Sequence, residues 1–228
     1  MFGNARNCAV AVLLLALPMT ALASGRQDVD NMDCSKLPEL KADAEHGDAK
    51  AQLKLALLYL NGKCVADDPH EVGVWLKRST DQGYAPAQVL AAGLFHRAGD
   101  DAGAAQMARL AAEQGEAFGQ GILAYSYQTG NGIGQDYIEA AKWARRAAEQ
   151  GDGLGQLVLA ELYVNGKGGF SSDLVEADKW YLLAEMGGGL THDDDESRKR
   201  LELRMKKVER VEAQRRASSW RPTAEQKR

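Results

Sequence analysis

The sequence predicts an all-α protein in which four similar helix hairpins stack as an α-α solenoid between N- and C-terminal capping helices. Apolar residues recur every three or four positions, as they do on amphipathic helices. A pattern centred on a tryptophan occurs three times, and a weaker copy occurs once. The glycines that end these units, counted from Gly47, are 36, 32, 36 and 37 residues apart. A repeat of this length is typical of solenoids.

Residues 1–23 are predicted to be a secretory signal peptide. Arg6 supplies a positive charge, Cys8–Leu17 is an apolar core, and a small-x-small motif (ALA) precedes Ser24. A membrane anchor would need about 20 apolar residues, and this core is only about half as long. We therefore expect export to a bacterial periplasm and a soluble mature chain without an integral membrane segment.

Two cysteines, Cys34 and Cys64, remain after this cleavage. An even pair in an oxidising compartment predicts a disulfide bond. The N-terminal segment 24–47 is predicted to hold a capping helix at Ser35–His46, and the chain then turns back into Ala49–Asn61. Because the two cysteines lie side by side in such a helix pair, the bond would tie this segment to the first hairpin. The alternative is two unpaired thiols.

The unit is clearest in the third hairpin, residues 116–151. Two helical runs flank the glycine-rich loop TGNGIGQ, and each run has one apolar stripe. Asp136 stands at an N-cap position with Glu139 three residues on, which predicts a capping box. Gly151 ends the second helix as a C′ glycine does. Because a single hairpin cannot bury both stripes, neighbouring hairpins must cover them.

The other hairpins repeat this spacing around their tryptophans. An aspartate stands seven residues before each tryptophan, a glutamate four before, and a tyrosine 16 or 17 before. The hairpins are predicted at 48–83, 84–115, 116–151 and 152–188. In the second, Phe95 and Met107 replace the tyrosine and the tryptophan. We assign the aromatic residues of the other three to the core rather than to a ligand site: Tyr59, Trp75, Tyr127, Trp143, Tyr163 and Trp180.

These residues resemble the Sel1-like repeat, a relative of the tetratricopeptide repeat, over about Gly47–Gly188. The resemblance is carried by a leucine-alanine pair, a tyrosine, glycines and a tryptophan in each clear copy. In the first copy they are Leu55, Ala56, Tyr59, Gly62 and Trp75; in the others they are Leu123, Ala124, Tyr127, Gly130, Gly132, Trp143, Leu159, Ala160, Tyr163, Gly166 and Trp180. The resemblance implies a right-handed solenoid and contacts with other proteins, but it does not identify the partner.

In tetratricopeptide repeats the first helix of each hairpin lines the concave face. The relation therefore implies a partner-binding surface at the equivalent positions here. They are Lys50, Leu53, Leu57, Asn61, Val89, His96, Arg97, Phe118, Tyr125, Gln128, Leu154, Leu157, Glu161 and Asn165. Several are large and apolar, and contiguous exposed apolar surface marks contact sites for an amphipathic helix or an extended peptide. The alternative is a tight superhelix in which these side chains bury one another.

Residues 189–228 are predicted to be basic capping helices and a tail. Thr191–Glu196 is an acidic helix start, which the helix dipole favours. An apolar stripe then follows: Leu201, Met205, Val208 and Val211. Residues 24–196 carry 15 basic and 28 acidic side chains (15 − 28 = −13), and residues 197–228 carry 12 and 4 (12 − 4 = +8). This cap can complement the acidic array, or it can dock on an acidic partner or anionic lipid. Nucleic acid is not expected to bind.

The sequence offers no catalytic or metal-binding constellation. No histidine lies in an H-E-x-x-H or Cys/His metal motif, and no serine lies in G-x-S-x-G. The four histidines are His46, His70, His96 and His192. Gly130–Gly134 lacks the strand and lysine of a phosphate-binding loop. We therefore predict no enzymatic activity, no metal and no cofactor.

The sequence is compatible with three functional hypotheses. The first is a periplasmic interaction module, monomeric or weakly self-associating, that acts as scaffold or regulator of an envelope protein, as some exported Sel1-type proteins do. The second, also by resemblance, is an immunity protein that neutralises a periplasm-acting toxin such as a secreted phospholipase. The third is a β-lactamase-like enzyme of the cysteine-rich Sel1 type. Those proteins carry a cysteine pair in each repeat, whereas this chain has one pair in all.

Overall fold

The structure is a computed structural model that describes residues 31–187 and 192–223. The predicted signal peptide, the 188–191 junction and the last five residues lie outside this part of the chain. Within it, a short 3-10 turn at Cys34–Lys36 is followed by α-helices and no strand. The helices are α1 Leu37–Glu45, α2 Ala49–Asn61, α3 Pro69–Asp81, α4 Ala85–Arg97, α5 Asp101–Glu113, α6 Ala117–Thr129, α7 Tyr137–Glu149, α8 Gly153–Asn165, α9 Leu174–Met186, α10 His192–Glu202 and α11 Lys207–Ser219.

Consecutive helices pack as four hairpins, α2–α3, α4–α5, α6–α7 and α8–α9. We call the first helix of each hairpin its leading helix and the second its trailing helix. Each trailing helix packs on the next leading helix, and α6 also packs on α8. The helix α1 covers α2 at one end, and α10 and α11 pack on α9 at the other. The predicted all-α solenoid with terminal caps is confirmed.

Small residues set the distance between successive hairpins. A Cβ added to Gly119 of α6 would lie 2.7 Å from the Cβ of Ala111 in α5. The same contact recurs one hairpin later, where a Cβ on Gly155 of α8 would overlap that of Ala147 in α7. Such glycines and alanines let helix backbones approach closely, so the neighbouring side chains are pressed together.

The hydrophobic core consists of two clusters, one from α1 through the second hairpin and one from the second hairpin through α9 to the C-terminal cap. Met107 and Phe118 contact both clusters. Of the six aromatic residues assigned to the core, Trp75 and Trp180 are buried, with 8% and 6% exposed. The other four are partly buried and pack against the clusters: Tyr59, Tyr127, Trp143 and Tyr163.

All four trailing helices begin at an aspartate N-cap, as predicted; in α5 it is Asp100, which accepts from the Gly103 N–H. Asp136 accepts hydrogen bonds from the backbone N–H groups of Ile138 and Glu139, and Asp68 and Asp173 act in the same way. The predicted capping boxes are not formed as expected. The N-cap N–H groups instead donate to tyrosine carbonyls at the end of the leading helix, as Asp136 does to Tyr127 at 2.9 Å.

The freed glutamates bind other side chains. Glu71 accepts a hydrogen bond from the indole of Trp75 at 2.9 Å. Glu139 pairs with Lys142, and Glu176 pairs with Lys179 and Arg216. The tyrosine carbonyl already accepts a hydrogen bond from the N-cap N–H. The glutamate side chain therefore contacts residues of its own helix or, in α9, Arg216 of α11.

Each long loop rests on the trailing helix of the hairpin before it. Gly168, at φ 70°, lies so close that an added Cβ would meet the Tyr137 carbonyl oxygen at 2.6 Å and the Ala141 Cβ at 2.8 Å. Gly132 lies in the same way against Asp101. Cys64 holds the equivalent place in the first loop, at φ 61°. No hairpin precedes it, and it forms a disulfide bond with Cys34 instead. The predicted pairing is confirmed.

The C-terminal end of the array is closed by an ion-pair network. Asp178 of α9 occupies the place of Ala141, and no further loop follows to cover it. Arg198 of α10 fills this position, with its Nε 3.2 Å from the Asp178 carboxylate, which is buried. The same guanidinium also pairs with Glu185 and Glu202.

Beyond α11, the backbone N–H of Thr223 donates to the Glu149 carbonyl, and Trp220 packs edge-on against Trp180.

We expect Gly155→Ala to lower the melting temperature, because the new methyl would overlap Ala147 and lie 2.9 Å from the Ala148 nitrogen. Helix propensity alone favours alanine over glycine by about 1 kcal/mol. Gly73→Ala is the matched control. Gly73 is an exposed glycine of α3 whose added Cβ would meet nothing within 4 Å, so this change should raise the melting temperature. Thermal unfolding followed by circular dichroism measures both, and a more stable Gly155→Ala variant would contradict the close helix crossing.

Loss of the disulfide should lower the free energy of unfolding by roughly 3–4 kcal/mol, because a loop of 30 residues is no longer closed in the unfolded chain. Two double variants lack the bond: Cys34→Ser with Cys64→Ser, and Cys34→Ser with Cys64→Gly. Glycine adopts the left-handed conformation of this position more readily, so the Gly variant should be the more stable of the two by about 1 kcal/mol. Urea unfolding measures the difference, and equal midpoints would argue against a strained backbone at Cys64.

Candidate partner-binding surface

The structure divides the predicted concave residues into two groups. Five of them are core residues with between 2% and 7% of their surface exposed: Leu53, Leu57, Val89, Leu154 and Leu157. They cannot touch a partner without unfolding of the array, so their assignment to a binding surface is corrected. Each leading helix packs against the trailing helix before it, and its large apolar side chains fill the space between successive hairpins. For these five residues the tight-superhelix alternative describes the structure.

The remaining residues of the predicted site are partly or fully exposed. Apart from Phe118 and Lys50, they lie in the last five residues of the leading helices. We call this set the leading-helix edge. It consists of Asn61, His96, Arg97, Tyr125, Gln128, Glu161 and Asn165. Phe118 packs against the core, and Lys50 is exposed near the start of α2.

Hydrogen bonds join this edge across α6 and α8. The Gln128 side-chain amide donates to the Glu161 carboxylate at 2.8 Å, which links the third hairpin to the fourth. The Gln135 amide in the loop donates to the Gln128 carbonyl at 2.8 Å, and Asn165 donates to the Glu161 carbonyl at 2.7 Å. Tyr125 is partly exposed one turn before Gln128. The edge is therefore an ordered polar surface with an aromatic side chain.

The edge differs in charge between the second and fourth hairpins. His96 lies 2.7 Å from the Asp101 carboxylate through Nδ1, and Arg97 beside it is exposed. Near the other end, burial raises the pKa of Tyr181, and the Glu161 and Asp194 carboxylates raise it further. This phenol therefore stays protonated and neutral beneath a negatively charged surface.

The opposite ends of the leading helices carry carboxylates with perturbed titration. Burial raises the pKa of Asp152 to about 7; the Gly155 N–H acts against this, and the Glu116 charge adds to it. Burial likewise raises the pKa of Glu116. Raised carboxylate pKa values often mark active sites. Here both groups are N-caps. The Glu116 carboxylate accepts from the Gly119 N–H at 2.5 Å, and the Asp152 carboxylate accepts from the Gly155 N–H at 2.7 Å.

A row of paired glutamines runs through the array, and sequence reasoning missed it. A glutamine after each trailing helix donates to a buried glutamine in the leading helix of the same hairpin. The pairs are Gln82–Gln52 at 2.7 Å, Gln114–Gln88 at 2.8 Å and Gln150–Gln120 at 2.8 Å. In the fourth hairpin Gly187 takes the donor's place, and Oε1 of Gln156 has no partner. The recurring Gln-Gly dipeptide was the signal in the sequence.

Four exposed arginines on the trailing helices were also missed. Arg78 and Arg146 lie over the rings of Trp75 and Trp143, at 4.6 Å and 4.9 Å. The other two bind tyrosine hydroxyls of the following hairpin, Arg109 to Tyr127 at 3.0 Å and Arg145 to Tyr163 at 3.2 Å. These contacts explain part of the aromatic pattern, because each ring orients a cation on the surface.

Within residues 31–187 and 192–223, no group of three or more His, Cys, Asp or Glu side chains could hold a metal ion. None of the helices in the same part of the chain is long and apolar enough to cross a membrane.

Comparison with known proteins gives matches to a repeat family. The family model for the Sel1 repeat matches residues 49–84, 117–152 and 153–189. The second hairpin lies outside these matches, in agreement with its degenerate sequence. No curated protein matches the chain.

Two similar solved structures have the same kind of fold. One is a protective antigen present in uropathogenic Escherichia coli strains, displaying an SLR fold. It is 33% identical with a TM-score of 0.67, over 83% of this chain and 41% of that one. The other is a Sel1 repeat protein from Oxalobacter formigenes, 31% identical with a TM-score of 0.59, over 64% of this chain and 59% of that one. The chain thus spans about two fifths and three fifths of their lengths.

The Asp152→Asn variant should change how stability depends on pH. Because the folded-state pKa of Asp152 is about 7 against an ordinary 3.8, the folded protein binds more protons than the unfolded chain between these values. This carboxylate therefore lowers the free energy of unfolding as the pH rises through that window. Asparagine keeps the cap without the charge, so the variant should be more stable than the natural chain at about pH 8, by on the order of 1–3 kcal/mol.

Thermal unfolding at about pH 5 and about pH 8 measures this effect. Asp48→Asn is the matched control, because it changes the equivalent cap of α2 at an exposed position. An Asp152→Asn protein that loses as much stability between the two pH values as the natural chain would contradict the assignment.

Proposed function

Because the chain belongs to the Sel1 repeat proteins, we propose that it is a non-enzymatic interaction module that holds or regulates an envelope protein through its leading-helix edge. Sel1 repeat proteins are generally protein-interaction scaffolds, and the fold of this chain is of that kind. Its function then lies in the side chains that the repeats present rather than in a reaction centre.

The observation that carries this proposal is the cluster formed by Tyr125, Gln128 and Glu161. A hydrogen bond between Gln128 and Glu161 joins two successive leading helices, and Tyr125 stands beside them, partly exposed. Tyrosine beside ordered polar groups is characteristic of protein interfaces, because it supplies contact area at a low cost in conformational entropy.

The burial of the leucines predicted to line the concave face argues against an amphipathic helix as the partner. With Leu57 and Leu157 inside the core, no apolar groove remains at those positions for the stripe of an amphipathic helix. The edge offers amide, carboxylate and phenol groups instead. These groups suit an extended segment whose backbone and polar side chains form hydrogen bonds. We therefore assign an extended polypeptide segment as the ligand.

The proposed site of action is the bacterial periplasm. Residues 1–23 have the pattern of a secretory signal, and the Cys34–Cys64 disulfide bond suits an oxidising compartment. Fractionation of native cells, with N-terminal sequencing of the recovered protein, tests this point. A periplasmic chain that begins at Ser24 is the expected result, and an intact chain in the cytoplasm would contradict it.

A photo-crosslinking amino acid placed at Tyr125 should capture the partner in native cells, because the partner covers this side chain in the complex. The same group at Ile138 is the matched control. Ile138 is an apolar residue of α7 with 50% of its surface exposed, outside the leading-helix edge. Mass spectrometry of the products should identify one protein at position 125 that is absent at position 138.

The captured protein can then be tested with pure components. Glu161→Lys should weaken its binding at least tenfold, since it removes an acceptor and reverses a charge in the cluster. The far-ultraviolet circular dichroism of the variant should stay unchanged. Equal crosslinking at the two positions, or undiminished binding by Glu161→Lys, would contradict the proposed surface.

A further inference from the structure

The C-terminal cap leaves several large apolar side chains in solvent within a short stretch. Leu203 is 88% exposed, Val208 70% and Val211 55%. They are three of the seven large apolar side chains that are exposed in the described part of the chain. Val208 and Val211 are three residues apart on α11 and share its outward face, whereas Ala213 and Ala217 face the core. Part of the stripe predicted from the sequence therefore points away from the protein.

Basic residues flank these side chains along the chain. Six basic residues between positions 204 and 221 are exposed: Arg204, Lys206, Lys207, Arg210, Arg215 and Arg221.

The three acidic residues of 198–221 are only partly exposed, and each has a local partner. Glu202 pairs with Arg198 at 2.7 Å. Glu209 accepts from the Lys206 backbone N–H at 2.6 Å, and Glu212 pairs with both Arg215 and Arg216. Residues 198–221 therefore expose more cations than carboxylates, whereas Asp195 and Glu196 at the start of α10 pair with Lys199.

The rest of the chain has the opposite charge. Residues 24–196 carry a net charge of −13, whereas residues 197–228 carry +8. An anionic surface would attract the cap and repel the array. The charge difference therefore favours contact with such a surface through the C-terminal residues rather than through the array.

We propose that the cap docks on an anionic phospholipid surface, with Leu203, Val208 and Val211 in the headgroup region and the surrounding cations on lipid phosphates. Basic residues around exposed apolar side chains on a helix are the combination that binds such interfaces. An acidic protein is the less suitable ligand, because Leu203 projects from the turn before α11 and Val208 and Val211 from the convex surface of that helix. A protein would need a pocket shaped to receive them. A bilayer adapts to the surface it meets.

Vesicle co-sedimentation tests this proposal with the chain in the form that accumulates in the cell. Vesicles of phosphatidylcholine alone are compared with vesicles that also contain phosphatidylglycerol. The protein should bind the second kind only, and binding should fall steeply as salt is added. Lys207→Gln should weaken binding about fivefold, since a basic residue near an anionic surface contributes about 1 kcal/mol. Val211→Asp should abolish it.

Two variants on the array are the matched controls. Lys142→Gln removes an exposed cation of α7, and Ile138→Asp replaces an exposed apolar residue of the same helix. Both should bind the anionic vesicles as the natural chain does. Equal binding to neutral vesicles, or equal loss in array and cap variants, would overturn the proposal. So would binding of the cap to an acidic protein in the absence of any vesicle binding. These outcomes do not depend on the partner captured at Tyr125.

Discussion

The close approach of each leading helix to the trailing helix before it is the constraint on which the rest of the structure depends. Gly155 crosses Ala147 at a distance that leaves no room for one more methyl group. Because the backbones are this close, the large side chains of the leading helices have no exit to solvent and fill the space between hairpins. Two consequences follow together: a dense core built from alanine and leucine, and the burial of the predicted contact residues Leu53, Leu57, Val89, Leu154 and Leu157.

The same stacking principle explains how the array ends. In the interior, a positive-φ glycine such as Gly168 seats each loop on the preceding trailing helix. The first loop has no such helix beneath it, and its Cys64 binds Cys34 covalently instead. The last trailing helix has no loop above it, and Asp178 receives Arg198 from the cap. Each end thus replaces a missing neighbour with a specific bond, which limits the exposed apolar surface that a solenoid end would otherwise carry.

The proposed binding surfaces lie where this packing leaves side chains exposed to solvent. On the array they are polar and stand in the last turns of the leading helices, around Tyr125 and Glu161. On the cap they are basic and apolar, around Val211. The proposed polypeptide ligand and the proposed lipid surface therefore use different residues of the molecule.

The sequence by itself determined the helices, their repeat, the aspartate caps and the cysteine pair, because these depend on local spacing and on a period that recurs along the chain. Asp136 and Gly151 could be placed without knowing any tertiary contact. The tertiary structure decided which apolar residues are accessible. Leu57 and Tyr125 occupy equivalent positions of their leading helices, yet one is core and the other surface. Interhelical distance and the neighbouring side chains make that difference, and neither can be read from the periodicity of one helix. The glutamine pairs escaped prediction for the same reason, because their members lie 26 or 30 residues apart and meet only in the folded hairpin.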